Sequence, residues 1–260
     1  MVCSLLLRKL SSNLLSYLTN ELTDAPCVVM LHQEFANANS FDDQILEFRD
    51  DFNLIIPDLL GHGESRTKGH ISDTAEWLRE ILDTEGVDEA YLVGVSLDAL
   101  LAQDFANRHP GKTASLFCVG GYDINHFTKA MEEATGRTKL KVFLNILSDR
   151  ESFAQSVADI SCVTPEGKDR VYRYSLNYPS VSFKHLSKLD RIFNKHRTGN
   201  RIYPMAIVVG SEEDSDMIHM AEDWHQTEPT TEYFVIHGAG HIAHLDQPEL
   251  FNHVLREFVG

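Results

Sequence analysis

The chain has 260 residues, of which 43% are hydrophobic and 24% charged, a balance that excludes a disordered or fibrous polymer and leaves room for one large domain. A formal net charge of −16 repels nucleic acid phosphates and anionic lipid, and no local Lys/Arg cluster offsets it, which argues against nucleic acid and membrane partners. The cysteines at 3, 27, 118 and 162 make no C-x-x-C pair or zinc spacing, the N-terminal apolar run is too short for a secretion signal and no run spans a membrane, so a cytoplasmic, reducing location is expected.

In chain order, Leu5–Lys9 and Leu14–Thr19 flank a Ser-Ser-Asn turn and read as a hairpin. Cys27–Leu31 is a short continuous apolar run, the mark of a buried strand. Phe41, Ile45 and Phe48 recur at helical spacing, and Phe52–Pro57 reads as a further strand. Thr74–Leu82 is helical, with Ser72 or Asp73 as its N-cap. Then come a strand at Tyr91–Val95, a helix at Leu97–Arg108 stopped by Pro110-Gly111, and a strand at Ser115–Val119 ending in Gly120-Gly121. Residues 123–199 break this rhythm; they are mostly helical in pattern and lack a buried-strand run. Alternation resumes with a strand at Met205–Val209, a helix at Met217–Trp224, a strand at Tyr233–Ile236 and a helix at Pro248–Phe258 opened by its proline.

Short apolar strands alternating with helices predict an α/β fold with a mostly parallel sheet covered on both faces. Its core takes residues 1–122 and 200–260, and residues 123–199 form a helical cap over one edge. Ligands of such sheets bind beyond the carboxyl ends of the strands. The reactive groups expected there are His32, Asp58, Ser96, Asp123, Glu213, Asp214 and His241.

A serine hydroxyl is a weak nucleophile until a base takes its proton, and the base needs an orienting acid. Gly94-Val95-Ser96, between an apolar strand and a helix, offers a sharp turn that exposes the hydroxyl and places the next amide at a helix N-terminus, where it can stabilise an oxyanion. His241, in HGAGHIAHLDQP just past the last strand, is placed as a general base, with His237 and His244 as neighbouring rivals.

The chain order serine, acid, histidine on alternating strands and helices resembles the α/β-hydrolase superfamily. LHQEFANANSF, PDLLGHGES, VGVSLDALLAQDFANRHP, PMAIVVGSEED and IHGAGHIAHLDQPELFN fall in that superfamily's order. The resemblance implies Ser96 as nucleophile, His241 as base, and the backbone N–H groups of Leu97 and Glu34 as oxyanion donors. It leaves the acid open between Glu213 and Asp214, with a slight preference for Glu213, and keeps Asp123 as an outside candidate. Asp58, Gly61, His62, Gly63 and Ser65 match a structural turn. His32, Phe35, Asp98, Phe127 and Phe143 are candidate pocket residues; Leu144, Phe153 and Tyr172 join Phe127 and Phe143 as pocket lining or cap core. No metal and no organic cofactor is implied.

Two positions depart from the pattern: Gln33 and Asp98 stand where the family usually has glycine. A charge on Asp98 would oppose the oxyanion. At ~6–8 Å and an effective dielectric of ~20 the repulsion is about 2 kcal/mol, roughly a thirtyfold rate loss. The expected function is therefore a serine hydrolase of a small ester, thioester or lactone, with activity reduced by Asp98 and Gln33. The alternative is a ligand-binding or signalling relative on the same scaffold. A dehalogenase or epoxide hydrolase would need a carboxylate in place of Ser96.

Overall fold

The computed structural model describes residues 5–10, 15–65, 69–129, 149–178, 189–194 and 201–260. The strands are β1 (Leu6–Lys9), β2 (Ser16–Thr19), β3 (Cys27–Leu31), β4 (Asn53–Pro57), β5 (Ala90–Val95), β6 (Thr113–Val119), β7 (Met205–Gly210) and β8 (Glu232–Ile236). The helices are α1 (Asp42–Phe48), α2 (Thr74–Thr84), α3 (Leu97–Arg108), α4 (Arg150–Ser161), α5 (Pro165–Leu176), α6 (Ser215–Thr227), α7 (Ala243–Asp246) and α8 (Pro248–Val259).

The strands form one sheet in the order β1-β2-β4-β3-β5-β6-β7-β8. The β1–β2 and β2–β4 pairs are antiparallel, and every pairing from β4 through β8 is parallel. Because β3 lies between β4 and β5, the chain leaves β3 in one direction and later returns on its other side. The loops after β3 and β5 therefore diverge and open a crevice at their carboxyl ends, the place where such sheets bind ligands.

Both sheet faces are covered, which explains the continuous apolar strands. Val28, Met30, Leu54 and Ile56 point into a core shared with Phe41, Phe48, Phe251 and Leu255 from the α1 and α8 side. Their alternates Cys27, Val29, Leu31 and Ile55 point into a second core shared with Leu78, Leu82, Ala102 and Phe105 of α2 and α3. The period of two along each strand sorts the side chains between layers.

The α2 helix starts at Thr74 as the sequence predicts, with Asp73 at its N-cap position, but no side chain caps it: Asp73 instead accepts from the His70 amide at 3.0 Å, closing a preceding helical turn. The α6 helix begins at Ser215, before Met217, because Asp214 caps it by accepting from Asp216 N–H at 3.0 Å. The Ser-Ser-Asn turn, Phe143 and Leu144 lie outside the described residues. Among the described residues no helix is long and apolar enough to cross a membrane.

Candidate active site

The turn between β5 and α3 sets the site. Ser96 sits there at φ 60°, ψ −123°, a region costing a non-glycine residue about 1–3 kcal/mol. The surroundings hold it: Ser96 N–H donates to the Val119 carbonyl at 2.8 Å. The helix then turns back so tightly that a Cβ on Gly94 would lie 2.5 Å from the Asp98 carbonyl oxygen. The strain lifts the hydroxyl clear of the backbone, and Leu97 follows as the first helical residue, whose amide has no carbonyl partner within the helix.

His241 reaches this hydroxyl from the loop after β8. Ser96 Oγ lies 2.6 Å from His241 Nε2, and His241 Nδ1 lies 2.6 Å from Glu213 Oε2. A carboxylate can only accept, so Nδ1–H donates to Glu213 Oε2, and Nε2 is left as the acceptor for Ser96 O–H. The Glu213 side chain is 3% exposed and that of His241 21%. Burial alone would lower the histidine pKa; the charge and hydrogen bond of Glu213, with the charge of Asp214, outweigh it and leave it raised above 6.5. Asp214, adjacent in sequence, is spent on the N-terminus of α6. Asp123 bonds the His126 ring at 2.5 Å and the Asn125 amide at 2.8 Å.

The loop after β3 faces the elbow. His32 Nδ1–H donates to the Gln33 carbonyl at 2.9 Å, and His32 Nε2 accepts from Leu59 N–H at 3.1 Å. This doubly engaged ring must be neutral, and burial pushes its pKa down. In a trans peptide the N–H points opposite to the carbonyl. Fixing the Gln33 carbonyl therefore also fixes the direction of the Glu34 N–H. The chain turns here at Phe35, φ 67°, and not at the position where Gln33 replaces glycine.

Two expected pocket residues are corrected by their burial. His32 and Asp98 are both 0% exposed and present no surface to a ligand. Neither Asp98 carboxyl oxygen has a hydrogen-bond partner, and burial, reinforced by the charge of Glu34, pushes its pKa well above its ordinary 3.8. A carboxyl so placed keeps its proton, which removes the charge on which the oxyanion repulsion depends. Phe35 packs edge-on against Phe153 and Tyr178, with ring centroids 5.2 and 5.1 Å away. Phe127 stacks on Phe193 at 4.1 Å in an apolar cluster that Leu97 also joins.

A polar cleft of about 690 Å³ opens between Phe35–Asn37, Gly63, Glu64 and the Arg170–Tyr178 face of α5, and none of Ser96, His241 and Glu213 lines it. The hydrogen-bonded relay is therefore the stronger guide to chemistry. Among the described residues no cluster of His, Cys, Asp and Glu is arranged to hold a metal ion.

A residue the sequence left without a role stands close by. Asp246 is 6% exposed and accepts from Gly240 N–H beside His241. No periodicity points to it; its short separation from His241 in HIAHLDQP is the only trace in the sequence.

The fold has counterparts among known proteins. The uncharacterized carboxylesterase nap of Bacillus subtilis (strain 168) is 20% identical over 252 residues, covering 90% of this chain and 79% of that protein. A thermophilic esterase from Thermogutta terrifontis superposes with a TM-score of 0.77 at 18% identity, covering 98% of both chains. The 2-hydroxy-6-oxo-6-phenylhexa-2,4-dienoate hydrolase of Rhodococcus sp. strain RHA1 superposes with a TM-score of 0.76 at 16% identity, covering 99% of both. A family model described as alpha/beta hydrolase fold matches residues 26–248, and the chain belongs to that family.

Proposed function

We propose that this chain is a serine hydrolase acting on a small carboxylic ester, thioester or lactone. The observation that carries the reading is the continuous relay from Ser96 Oγ through His241 to Glu213, with 2.6 Å at each link. Ser96 Oγ attacks the substrate carbonyl as its proton passes to His241 Nε2. The oxyanion takes hydrogen bonds from the N–H groups of Leu97 and Glu34. Collapse breaks the bond to the leaving alcohol or thiol, which takes the proton from His241. Water then attacks the acyl-enzyme, giving its proton to His241, and the acid departs as the proton returns to Ser96. Each step uses side chains, backbone and water.

Residues 123–199 act as the cap of this site in the proposed reading. The support is that α4 packs on the loops after β3 and β8, through Phe35–Phe153 contact and an Ile242 N–H to Ser161 carbonyl bond of 2.9 Å, while Tyr174 of α5 donates its hydroxyl to the Asn39 carbonyl at 2.9 Å. A reducing, cytoplasmic setting is supported by the buried free thiols of Cys27, Cys118 and Cys162. Asp98 and Gln33 act on turnover through the fit of the oxyanion loop, since burial favours the uncharged form of Asp98. The kinship to a carboxylesterase favours the ester over a carbon–carbon substrate.

A panel of p-nitrophenyl esters of increasing acyl length tests this. The expected result is turnover that Ser96→Ala lowers by about 10³-fold or more. A blank across all acyl lengths, with tight binding of a small molecule, supports the ligand-binding alternative.

A further inference from the structure

The amides of the residues on either side of His241 are both tied down, one through Asp246 and the other directly to the end of α4. Gly240 N–H donates to Asp246 Oδ2 at 2.8 Å, and Ile242 N–H donates to the Ser161 carbonyl, the last residue of α4, at 2.9 Å. The same Asp246 carboxylate reaches the connection between α4 and α5. It accepts from Val163 N–H at 3.0 Å, from Thr164 N–H at 2.8 Å and from Thr164 Oγ at 2.7 Å. A carboxylate offers about four acceptor positions, and three amides and a hydroxyl fill them here. Such charge-assisted bonds are stronger than neutral ones, and at 6% exposure water competes little. The loop carrying the base is thus pinned to the helical hairpin by one side chain that touches neither Ser96 nor His241.

We propose that Asp246 is a positioning residue through which the α4–α5 hairpin sets the orientation of His241, so that the hairpin contributes to the chemical step as well as to enclosing the site. This rests on the reading of Ser96 and His241 given above. The physical argument is geometric. A base displaced by about 1 Å from its proton donor loses on the order of a hundredfold in rate. Here the Ile242 amide ends on the hairpin directly, and the Gly240 amide ends on the Asp246 carboxylate that the hairpin holds.

Gly167, in the first turn of α5, allows the link to be disturbed from the far side. A Cβ there would lie 2.6 Å from Asp246 Oδ1 and 3.0 Å from Thr164 Oγ. Within a helix, alanine is favoured over glycine by about 1 kcal/mol, so Gly167→Ala on its own improves helix propensity while pressing on the carboxylate.

The test compares wild type, Asp246→Asn, Gly167→Ala and the exposed neighbour Glu166→Ala on a p-nitrophenyl ester, with hydrogen exchange of residues 238–245 read by mass spectrometry. Asp246→Asn puts an amide where N–H donors converge. The expected result is a fall in kcat of about tenfold or more in Asp246→Asn and Gly167→Ala with KM within about twofold, faster exchange of the 238–245 segment, unchanged circular dichroism, and wild-type behaviour for Glu166→Ala. Folded variants with wild-type kcat, or with only KM raised, would overturn the proposal. So would unchanged exchange. Absence of Ser96-dependent turnover in the wild type would instead overturn the reading of the site; the exchange arm then decides by itself whether Asp246 holds the loop.

Discussion

Removing the charge of Glu213 moves the titration of His241 in a definite direction. The net raised pKa of His241 comes from Glu213 and Asp214 working against burial, and a general base acts only when neutral. The acid limb of kcat/KM is therefore expected above pH 6.5 in the wild type, and Glu213→Gln shifts it lower while cutting the rate by about 10²–10⁴-fold, since the ring also loses its orienting partner. Asp214→Asn shifts the limb the same way but more weakly, with a rate within about tenfold, because Asp214 supplies charge without contact. A limb that stays in place in Glu213→Gln would show that Glu213 does not govern the base. Ser96 and His241 were legible in the sequence from their place at strand ends and their order. The choice between Glu213 and Asp214 was not, because it depends on which neighbour the loop turns inward and which it leaves to cap α6. The charge state of Asp98 was equally hidden: its place in the first turn of α3 is visible in the sequence, but the burial that keeps its proton is not. Asp98→Asn, a neutral carboxamide of the same shape, is expected to keep kcat within about threefold on a simple ester, and a rise of about thirtyfold would reinstate a charged Asp98.

At the scale of elements, the elbow depends on how closely β5 and α3 approach. Gly94→Ala would set a methyl 2.5 Å from the Asp98 carbonyl oxygen and 2.7 Å from Ala99 Cα. Both are backbone atoms that cannot rotate away. A cost of about 2–3 kcal/mol is expected, lowering Tm by about 4–10 °C in a thermal melt, with a parallel loss of turnover as Ser96 tilts. An unchanged melting curve would mean that the elbow yields. The strands β3 to β7 and α3 were readable because their apolar runs are buried and bounded by glycine or proline; β3 and α3 have the bounds that the sequence predicts. The start of α6 was less readable than that of α2, since it depends on which of several polar side chains bends back to an amide. The hairpin of α4 and α5 was visible as helical pattern. Its attachment through Asp246 was not, because the bond joins residues 82 and 83 positions apart.

For the whole molecule, the buried histidines govern how acid acts on stability. His244, stacked on Phe41 at 4.8 Å, is held neutral, with burial first and the Arg170 charge second pushing its pKa down to about 3. Below pH 6.5 the unfolded chain takes up a proton that the fold refuses. The stability this group contributes is therefore complete above pH 6.5 and is lost as pH falls from there toward 3. Between pH 6.5 and 5 the loss is about 2 kcal/mol, and His244→Phe is expected to shrink the drop in Tm over that range. An identical drop in the variant would assign the acid sensitivity elsewhere. The strand order explains why this interior and the site share one architecture: the divergence of the chain on either side of β3 brings the loop after β3, the β5–α3 turn and the histidine loop to one rim. The central claim is that this rim makes Ser96 nucleophilic. Reaction with a fluorophosphonate, mapped by mass spectrometry, tests it most directly: a single adduct on Ser96, absent in Ser96→Ala and strongly slowed in His241→Ala, is the expected result, and an unmodified Ser96 in folded protein, or labelling indifferent to His241, would contradict it.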